Sequence, residues 1–316
     1  MKILIIQTAF IGDVVLATSL VEKLKTTYPS STIDFLLRKG NESLFLDHPH
    51  INQLIIFDKK EKRYKSVLKS IRKIRSEKYD TVINVQRFFT TGLMTILSGA
   101  KETIGYKKNP WSFLFTRKVK HIIDEKGVHE VERNLLLIAH LIHDKTVTKP
   151  KLYPSSKDFA LVPSYPFVCI APSSVWFTKQ LPKEQWLKII GNIPIQYKIH
   201  LLGGKDDVLL CEEIRMLTDP ERVINCAGKL SFLASAALMS KAKMNYTNDS
   251  APLHFASAMN APITAIFCST VPYFGFGPLS DEAYILETNK KLNCRPCGLH
   301  GKNECPKGHF ECSEIA

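Results

Sequence analysis

Short apolar runs rich in Ile, Val and Leu alternate along the chain with longer stretches in which apolar residues return at helical spacing. This is the pattern of βαβ units that build a parallel sheet. In the first half the runs predict strands at Lys2–Thr8, Thr32–Leu37, Gln53–Phe57, Thr81–Val85 and Glu102–Tyr106. The pattern restarts with Phe167–Pro172, Lys198–Gly203, Val223–Ala227, Lys243–Thr247 and Pro262–Phe267. Between the halves, Lys149–Pro166 carries four prolines and no sustained periodicity, which reads as a linker. The predicted fold class is therefore α/β, with two doubly wound domains, 1–155 and 156–316, and a cleft between them.

No apolar stretch approaches the length of a spanning helix. The opening Met1–Ile6 run ends at Gln7 with no small-residue cleavage pattern behind it, so it reads as the first strand of a cytoplasmic protein. Composition is that of an ordinary globular chain, 45% hydrophobic and 23% charged over 316 residues. Charge changes the picture more. Residues 1–150 hold 26 basic and 15 acidic side chains, so +11 of the total +13 belongs to the first half. Such asymmetry implies an anionic partner for that half, whether nucleic acid, membrane surface or acidic substrate. Ten Lys or Arg fall between Lys59 and Lys78, with Tyr64, Val67, Leu68, Ile71 and Ile74 at helical spacing. That basic amphipathic helix covers a sheet with a solvated outer face, and the same face can lean on an anionic membrane.

Three constellations carry candidate chemistry. The first β-to-α turn, Gln7 to Thr18, places Gly12-Asp13 where strand gives way to helix. Ligands of open α/β sheets bind beyond the carboxyl ends of strands, so Asp13 is either an ordinary N-terminal helix carboxylate or a cleft-facing base. The chain has no G-x-G-x-x-G, which removes the usual fingerprint of a nicotinamide or flavin enzyme. After the strand ending at Pro172 comes Ser173-Ser174, then Thr178-Lys179 and Leu181-Pro182 before a helix containing Trp186. Hydroxyls, a Lys and a helix start beyond a strand can surround a diphosphate, and equally make a plain surface loop. Third, Asn248-Asp249-Ser250-Ala251-Pro252 opens a small-residue helix that includes His254, a start that offers backbone N–H groups to an anion and is also a structural cap.

In order, Gly12-Asp13 with Leu16-Ala17-Thr18, Thr178-Lys179 with Leu181-Pro182 and Trp186, Gly203-Gly204, and Asn248-Asp249-Ser250 with Pro252 and His254 resemble glycosyltransferase family nine, the lipopolysaccharide heptosyltransferases. The tail, Cys294-Arg295-Pro296-Cys297 and then Cys305 to His309 and Cys312, looks most like the heptosyltransferase II branch. The resemblance implies a GT-B fold with a basic acceptor domain at 1–155 and a donor domain at 156–316. It implies inverting transfer of heptose from ADP-heptose to the lipid A/Kdo region or first heptose of the lipopolysaccharide core, with no catalytic metal or other cofactor. By resemblance Asp13 is the general base and Lys179 the diphosphate ligand. Asp249 holds heptose hydroxyls, Ser250 and the amides behind it meet phosphate, Asp207 takes the ribose, and Ser173, Ser174 and His254 complete the donor set. Gly12, Arg87, His129 and Arg133 are acceptor candidates, and each of the charged ones is also explained as an ordinary salt-bridge residue. One departure stands out: the family commonly has Gly after Asp-Ser, where this chain has Ala251. A position needing positive φ would disfavour Ala.

Eight cysteines remain. Cys169, Cys211, Cys226 and Cys268 sit at core-like positions. Cys294, Cys297, Cys305 and Cys312 are candidate structural zinc ligands, with His300 and His309 in reserve, though their spacing is not a standard ribbon. The implied partners are a nucleotide-sugar donor, an anionic glycolipid acceptor and the inner face of the cytoplasmic membrane. A GT-B transferase for another nucleotide sugar or acceptor is the alternative. A basic nucleic-acid-binding protein is a third reading, but no helix-turn-helix, RNP-like strand or zinc-finger spacing supports it and no nucleic acid is expected.

Overall fold

The computed structural model describes residues 1–60, 63–124 and 127–315, apart from the side chains of Arg63 and Tyr64. The chain divides into a unit made of Met1–Ile123 with Val128–Tyr153 and a second made of Pro154 onward together with Asp124 and Gly127. The first carries β1 (Lys2–Ile6), α1 (Ile11–Thr27), β2 (Thr32–Arg38), β3 (Gln53–Phe57), α2 (Arg63–Ser76), β4 (Thr81–Asn84), α3 (Phe89–Ile96), β5 (Glu102–Tyr106), β6 (Arg117–Val119) and α4 (Glu130–Ile138). The second carries α5 (Ser156–Phe159), β7 (Phe167–Ala171), α6 (Lys183–Asn192), β8 (Lys198–Leu201), α7 (Val208–Met216), β9 (Val223–Asn225), α8 (Phe232–Lys241), β10 (Asn245–Asn248), α9 (Ala251–Ala258), β11 (Ile263–Phe267) and β12 (Ala283–Glu287).

Every strand pairing is parallel, in the orders β3-β2-β1-β4-β5-β6 and β12-β11-β10-β7-β8-β9. Read from its own first strand, each sheet has the 3-2-1-4-5-6 order of a dinucleotide-binding fold. Helices cover both faces of such sheets, which is why β1, β7 and β11 are almost wholly apolar and buried. Edge strands β6 and β12 escaped the sequence reading. β6 is only Arg117-Lys118-Val119 and has no apolar run, whereas β12 carries Tyr284-Ile285-Leu286 on a half-exposed to exposed edge.

In α2, Val67, Ile71 and Ile74 join the core with Leu4, Leu36 and Tyr79 while Lys65, Lys69, Arg72 and Lys73 point outward. The sheet-covering helix with a solvated basic face is thus what forms. Glu61 and Lys62, within the predicted Lys59–Lys78 helix, and the side chains of Arg63 and Tyr64 lie outside the described residues. In the proline-rich stretch, Ser155 and Asp158 form a reciprocal capping box around α5.

Candidate active site

The order of each sheet reverses between two neighbouring strands, β1 and β4 in one unit and β7 and β10 in the other. Loops leaving such a pair turn to opposite sides and open a crevice beyond the carboxyl ends of the strands. In the second unit these are the loops after Ala171 and after Asn248. Asn248, fully buried, ties them together: its Nδ2 donates to the Pro172 carbonyl at 2.8 Å and to that of Ser173 at 3.3 Å, and its Oδ1 accepts from the Leu181 N–H at 3.1 Å. Pinned in this way, the loop brings Lys179 Nζ to 2.7 Å from Asp249 Oδ2. The same oxygen accepts from the Thr270 hydroxyl at 2.7 Å. Both charged side chains are largely shielded, 14% and 8% exposed, so their attraction is stronger than at an open surface.

Sequence reasoning missed most of what holds this pair. Thr178 exchanges hydrogen bonds with Lys302, donating its N–H to the Lys302 carbonyl at 3.0 Å and accepting the Lys302 N–H on its hydroxyl at 2.8 Å. The Ser269 hydroxyl meets the Thr178 hydroxyl at 2.9 Å, and the Ser269 carbonyl accepts from the Cys297 N–H. Arg295 donates to the carbonyls of Phe267, Cys268 and Thr270 and pairs with Glu287 at 2.6 Å. Gly301, with φ of +76°, lies where a Cβ would stand 2.9 Å from the Lys179 side chain. The cysteine-rich tail is therefore a strap over the loop that carries Lys179. Only an arginine surrounded by cysteines hinted at it in the sequence.

The remaining donor candidates are placed as follows. Ser174 accepts the Trp176 N–H at 3.4 Å, and Ser173 lies half-exposed beside it. Ser250 is the N-cap of α9, but its side chain makes no cap hydrogen bond and donates instead to the Asn248 carbonyl at 3.4 Å. The start of α9 thus has no cap hydrogen bond from the Ser250 side chain. Ala251 begins that helix and is not among the positive-φ residues, so the missing Gly imposes no strain here. His254 is buried in the helix behind it. Asp207, after β8, accepts the Gly204 N–H at 2.7 Å. A Cβ on Gly203 would stand 2.6 Å from Asp207 Cβ, which explains that glycine by close approach.

In the first unit Gly12 and Asp13 lie in the opening turn of α1, where the dipole favours a carboxylate. Gln86, after β4, reaches across to hydrogen-bond Gln7, after β1. Arg38 stands over the Phe10 ring at 5.1 Å, and Lys59 donates to the Thr8 carbonyl at 2.8 Å, so two cations border this turn. Burial, then the Arg38 charge, lowers the Lys59 ammonium below the ordinary lysine range. Arg87 follows β4, half-buried. His129 caps α4, accepting the Val131 N–H on Nδ1 at 3.2 Å, while Glu132 reaches back to its backbone. Arg133 is buried and bonds Glu130 at 2.7 Å, and His121 meets the same carboxylate at 3.0 Å. Burial opposes the Glu130 charge, but the bonds and charges of His121 and Arg133 prevail and hold its carboxyl below the usual range.

The zinc expectation needs correction. All eight cysteines are free thiols, and among the described residues no group of three or more His, Cys, Asp or Glu is arranged to hold a metal ion. Cys294, Cys297, Cys305 and Cys312 do line one cavity of about 370 Å³ with His309. However, Cys312 is packed into the apolar core, where burial pushes its thiol up to about 11, and the Cys297 thiol donates to the Cys294 carbonyl at 3.3 Å. Cys226 is half-buried beside His200, whereas Cys169, Cys211 and Cys268 are core residues.

Two doubly wound parallel units, each with its polar loops gathered at the strand-order reversal, define a GT-B glycosyltransferase fold. Residues 67–306 match the profile of glycosyltransferase family 9 (heptosyltransferase), and the chain belongs to that family. It is a glycosyltransferase. It is 28% identical over 278 residues to lipopolysaccharide heptosyltransferase 3 of Escherichia coli, covering 83% of this chain and 82% of that one. It is 24% identical over 321 residues to lipooligosaccharide heptosyltransferase 2 of Campylobacter jejuni, covering 99% and 94%. In structure it resembles E. coli ADP-heptose lipopolysaccharide heptosyltransferase II, with a TM-score of 0.77, 22% identity and coverage of 94% and 96%. Among the described residues no helix is long and apolar enough to cross a membrane.

Proposed function

We propose that the protein transfers heptose from ADP-heptose to the inner core of lipopolysaccharide, inverting the anomeric centre without a catalytic metal, as a peripheral protein at the inner face of the cytoplasmic membrane. Residues 1–155 take the anionic glycolipid acceptor and 156–316 the donor. The observation that carries the donor assignment is the Lys179–Asp249–Thr270 arrangement at the opening of α9, whose first turn has no side-chain cap. A shielded ammonium beside the start of a helix suits a diphosphate. Support for the sugar comes from relatives named lipopolysaccharide heptosyltransferases and from the similar E. coli heptosyltransferase WaaC, solved with ADP-2-deoxy-2-fluoro heptose.

In this reading Asp13 takes the proton from an acceptor hydroxyl as its oxygen attacks the anomeric carbon on the face opposite ADP. The bond to ADP breaks, its electron pair passes to the β-phosphate, and Lys179 stabilises that growing charge. Asp249 keeps the ammonium in place and accepts from heptose hydroxyls, with Ser173, Ser174, Ser250, His254 and Asp207 around the nucleotide sugar. Arg87 and the cations beside the Asp13 turn meet acceptor phosphates or carboxylates. The test is turnover of a panel of nucleotide sugars on defined inner-core acceptors, alongside calorimetric titration with ADP. Turnover with ADP-heptose is expected. Turnover with a different nucleotide sugar alone would move the protein to the alternative GT-B reading.

A further inference from the structure

The first unit carries an aromatic surface that the transfer chemistry leaves unused. Phe88 and Phe89, at the start of α3, are 62% and 53% exposed, and Phe113, beyond β5, is 67% exposed. Phe89 and Phe113 are neighbours through Trp111, which lies 5.1 Å from Phe89 and stacks on Phe113 at 6.3 Å, and Phe88 precedes Phe89 in the chain. The platform is built rather than loose. Asn109, itself buried, donates to the carbonyls of Gln86 and Phe88 and accepts the Trp111 N–H at 3.0 Å. A Cβ on Gly92 would collide with the Asn109 side chain, so α3 and the Trp111 loop are fitted to each other. Water gains nothing from a linked set of three rings with the exposed Phe88 ring next to it in the chain, and a protein surface rarely keeps such a cluster without a use.

Its rim is cationic. Arg87 adjoins Phe88, and Lys107 and Lys108 are exposed on the segment that leads to Trp111. Lys118 and Lys120 are exposed just beyond Phe113 and Leu114. The half of the chain that bears the platform also holds +11 of the total charge. Aromatic rings ringed by Lys and Arg match a bilayer interface, where the rings settle at headgroup depth and the cations meet anionic lipid. The platform follows β4 and β5 at the carboxyl edge of the first sheet, the edge on which Asp13 follows β1. A lipid-anchored acceptor held there would present its sugars on the side of the base.

We propose that Phe88, Phe89, Trp111 and Phe113 form an interfacial anchor that seats the first unit on an anionic lipid bilayer. This deepens the membrane-bound acceptor reading above and supplies its docking surface. The anchor adds apolar insertion to the long-range attraction of the basic face of α2.

The experiment compares the full chain with the Phe88→Ser/Phe113→Ser variant on vesicles of phosphatidylcholine and phosphatidylglycerol that contain no glycolipid. Both side chains are mainly in solvent, and Ser is a favourable N-cap at the Phe88 position, so the variant should fold as the parent does. Vesicle affinity should fall at least about tenfold, since each ring that leaves water contributes more than enough for that factor. The loss should persist at high salt, which weakens only the ionic part. Trp111 fluorescence in the parent should be quenched by brominated lipid chains, and the quenching should disappear in Trp111→Phe. Equal vesicle binding by parent and variant would overturn the proposal. So would a parent that ignores glycolipid-free vesicles while the variant loses only affinity for a short soluble acceptor, because the rings would then be a saccharide platform. A concentration-dependent parent dimer that the variant abolishes, with no vesicle binding by either, would overturn it in favour of contact between copies. Transfer to the soluble acceptor is measured separately, so a failure of the heptosyltransferase reading appears there and leaves the vesicle result to stand alone.

Discussion

Lys179 Nζ and Asp249 Oδ2 lie 2.7 Å apart, joining the loop after β7 to the loop after β10. Neither can be removed without altering the other, because the survivor is a shielded charge that has lost its partner. Lys179→Ala should weaken ADP binding by about tenfold to a hundredfold, the range of a charge-assisted hydrogen bond, and should also lower stability by a few kcal/mol. Adding Asp249→Asn should recover much of the stability and none of the ADP affinity. Calorimetry with ADP and chemical unfolding read the two effects separately; ADP binding by Lys179→Ala equal to the parent's would remove Lys179 from the diphosphate site.

Asp13→Asn should reduce kcat by about 10² to 10⁴ and leave ADP affinity nearly unchanged, since a base acts on the proton in the transition state. The carboxylate's place in the first turn of α1 motivates this. A fall of about tenfold or less would be too small for the principal base.

The strap over Lys179 should act on the donor. Arg295→Ala removes donors to three carbonyls, including that of Thr270, whose hydroxyl holds Asp249. KM for the nucleotide sugar should rise more than KM for the acceptor, with a lower melting temperature. Thr178→Val, which deletes the hydroxyl shared by Ser269 and Lys302, should shift the donor KM in the same direction. Equal changes in both KM values would mean that the strap only stabilises the fold.

The basic face of α2 should contribute attraction without insertion. Reversing Lys65, Lys69 and Arg72 should weaken binding to anionic vesicles at low salt, at on the order of 1 kcal/mol per charge near the surface. High salt should erase the difference from the parent, unlike the aromatic variant. The control is kcat on a short soluble acceptor, which should hold constant. A salt-independent loss would point to a damaged fold.

Two histidines make stability depend on pH. Burial, aided by the charges of His50 and Lys151, lowers His48 to about 4, and burial lowers His200 to about 4. Between the ordinary histidine range near 6.5 and about 4, the unfolded chain binds protons that the folded chain refuses. Stability therefore falls as pH drops through that window, by up to about 1.4 kcal/mol per pH unit for each histidine. Unfolding titrations across the window should show the slope, and His200→Gln should flatten it. An unchanged slope in that variant would assign the effect elsewhere.

The alternation of Ile- and Val-rich runs with helical stretches was enough to place ten of the strands within a few residues, because strand and helix preferences are settled by near neighbours. The order of motifs likewise marked Lys179 and Asp249 as belonging to one site. Sequence did not reveal the edge strands: β6, with two cations in three residues, is held by its ladder to β5, and β12 has a short apolar run, Tyr284 to Leu286, that lies largely exposed beside β11. Sequence offered His129 and Arg133 as acceptor candidates by resemblance without showing that one caps a helix and the other is buried beside Glu130. Only the tertiary structure decided that Lys179 pairs with Asp249, that the tail holds Thr178 through Lys302 and the segment after β11 through Arg295, and that Phe89 and Phe113 share a platform through Trp111. The physical reason is strand order: β10 lies beside β7, and β5 beside β4, so residues distant in the chain meet at the same sheet edge. No local periodicity records which strands become neighbours.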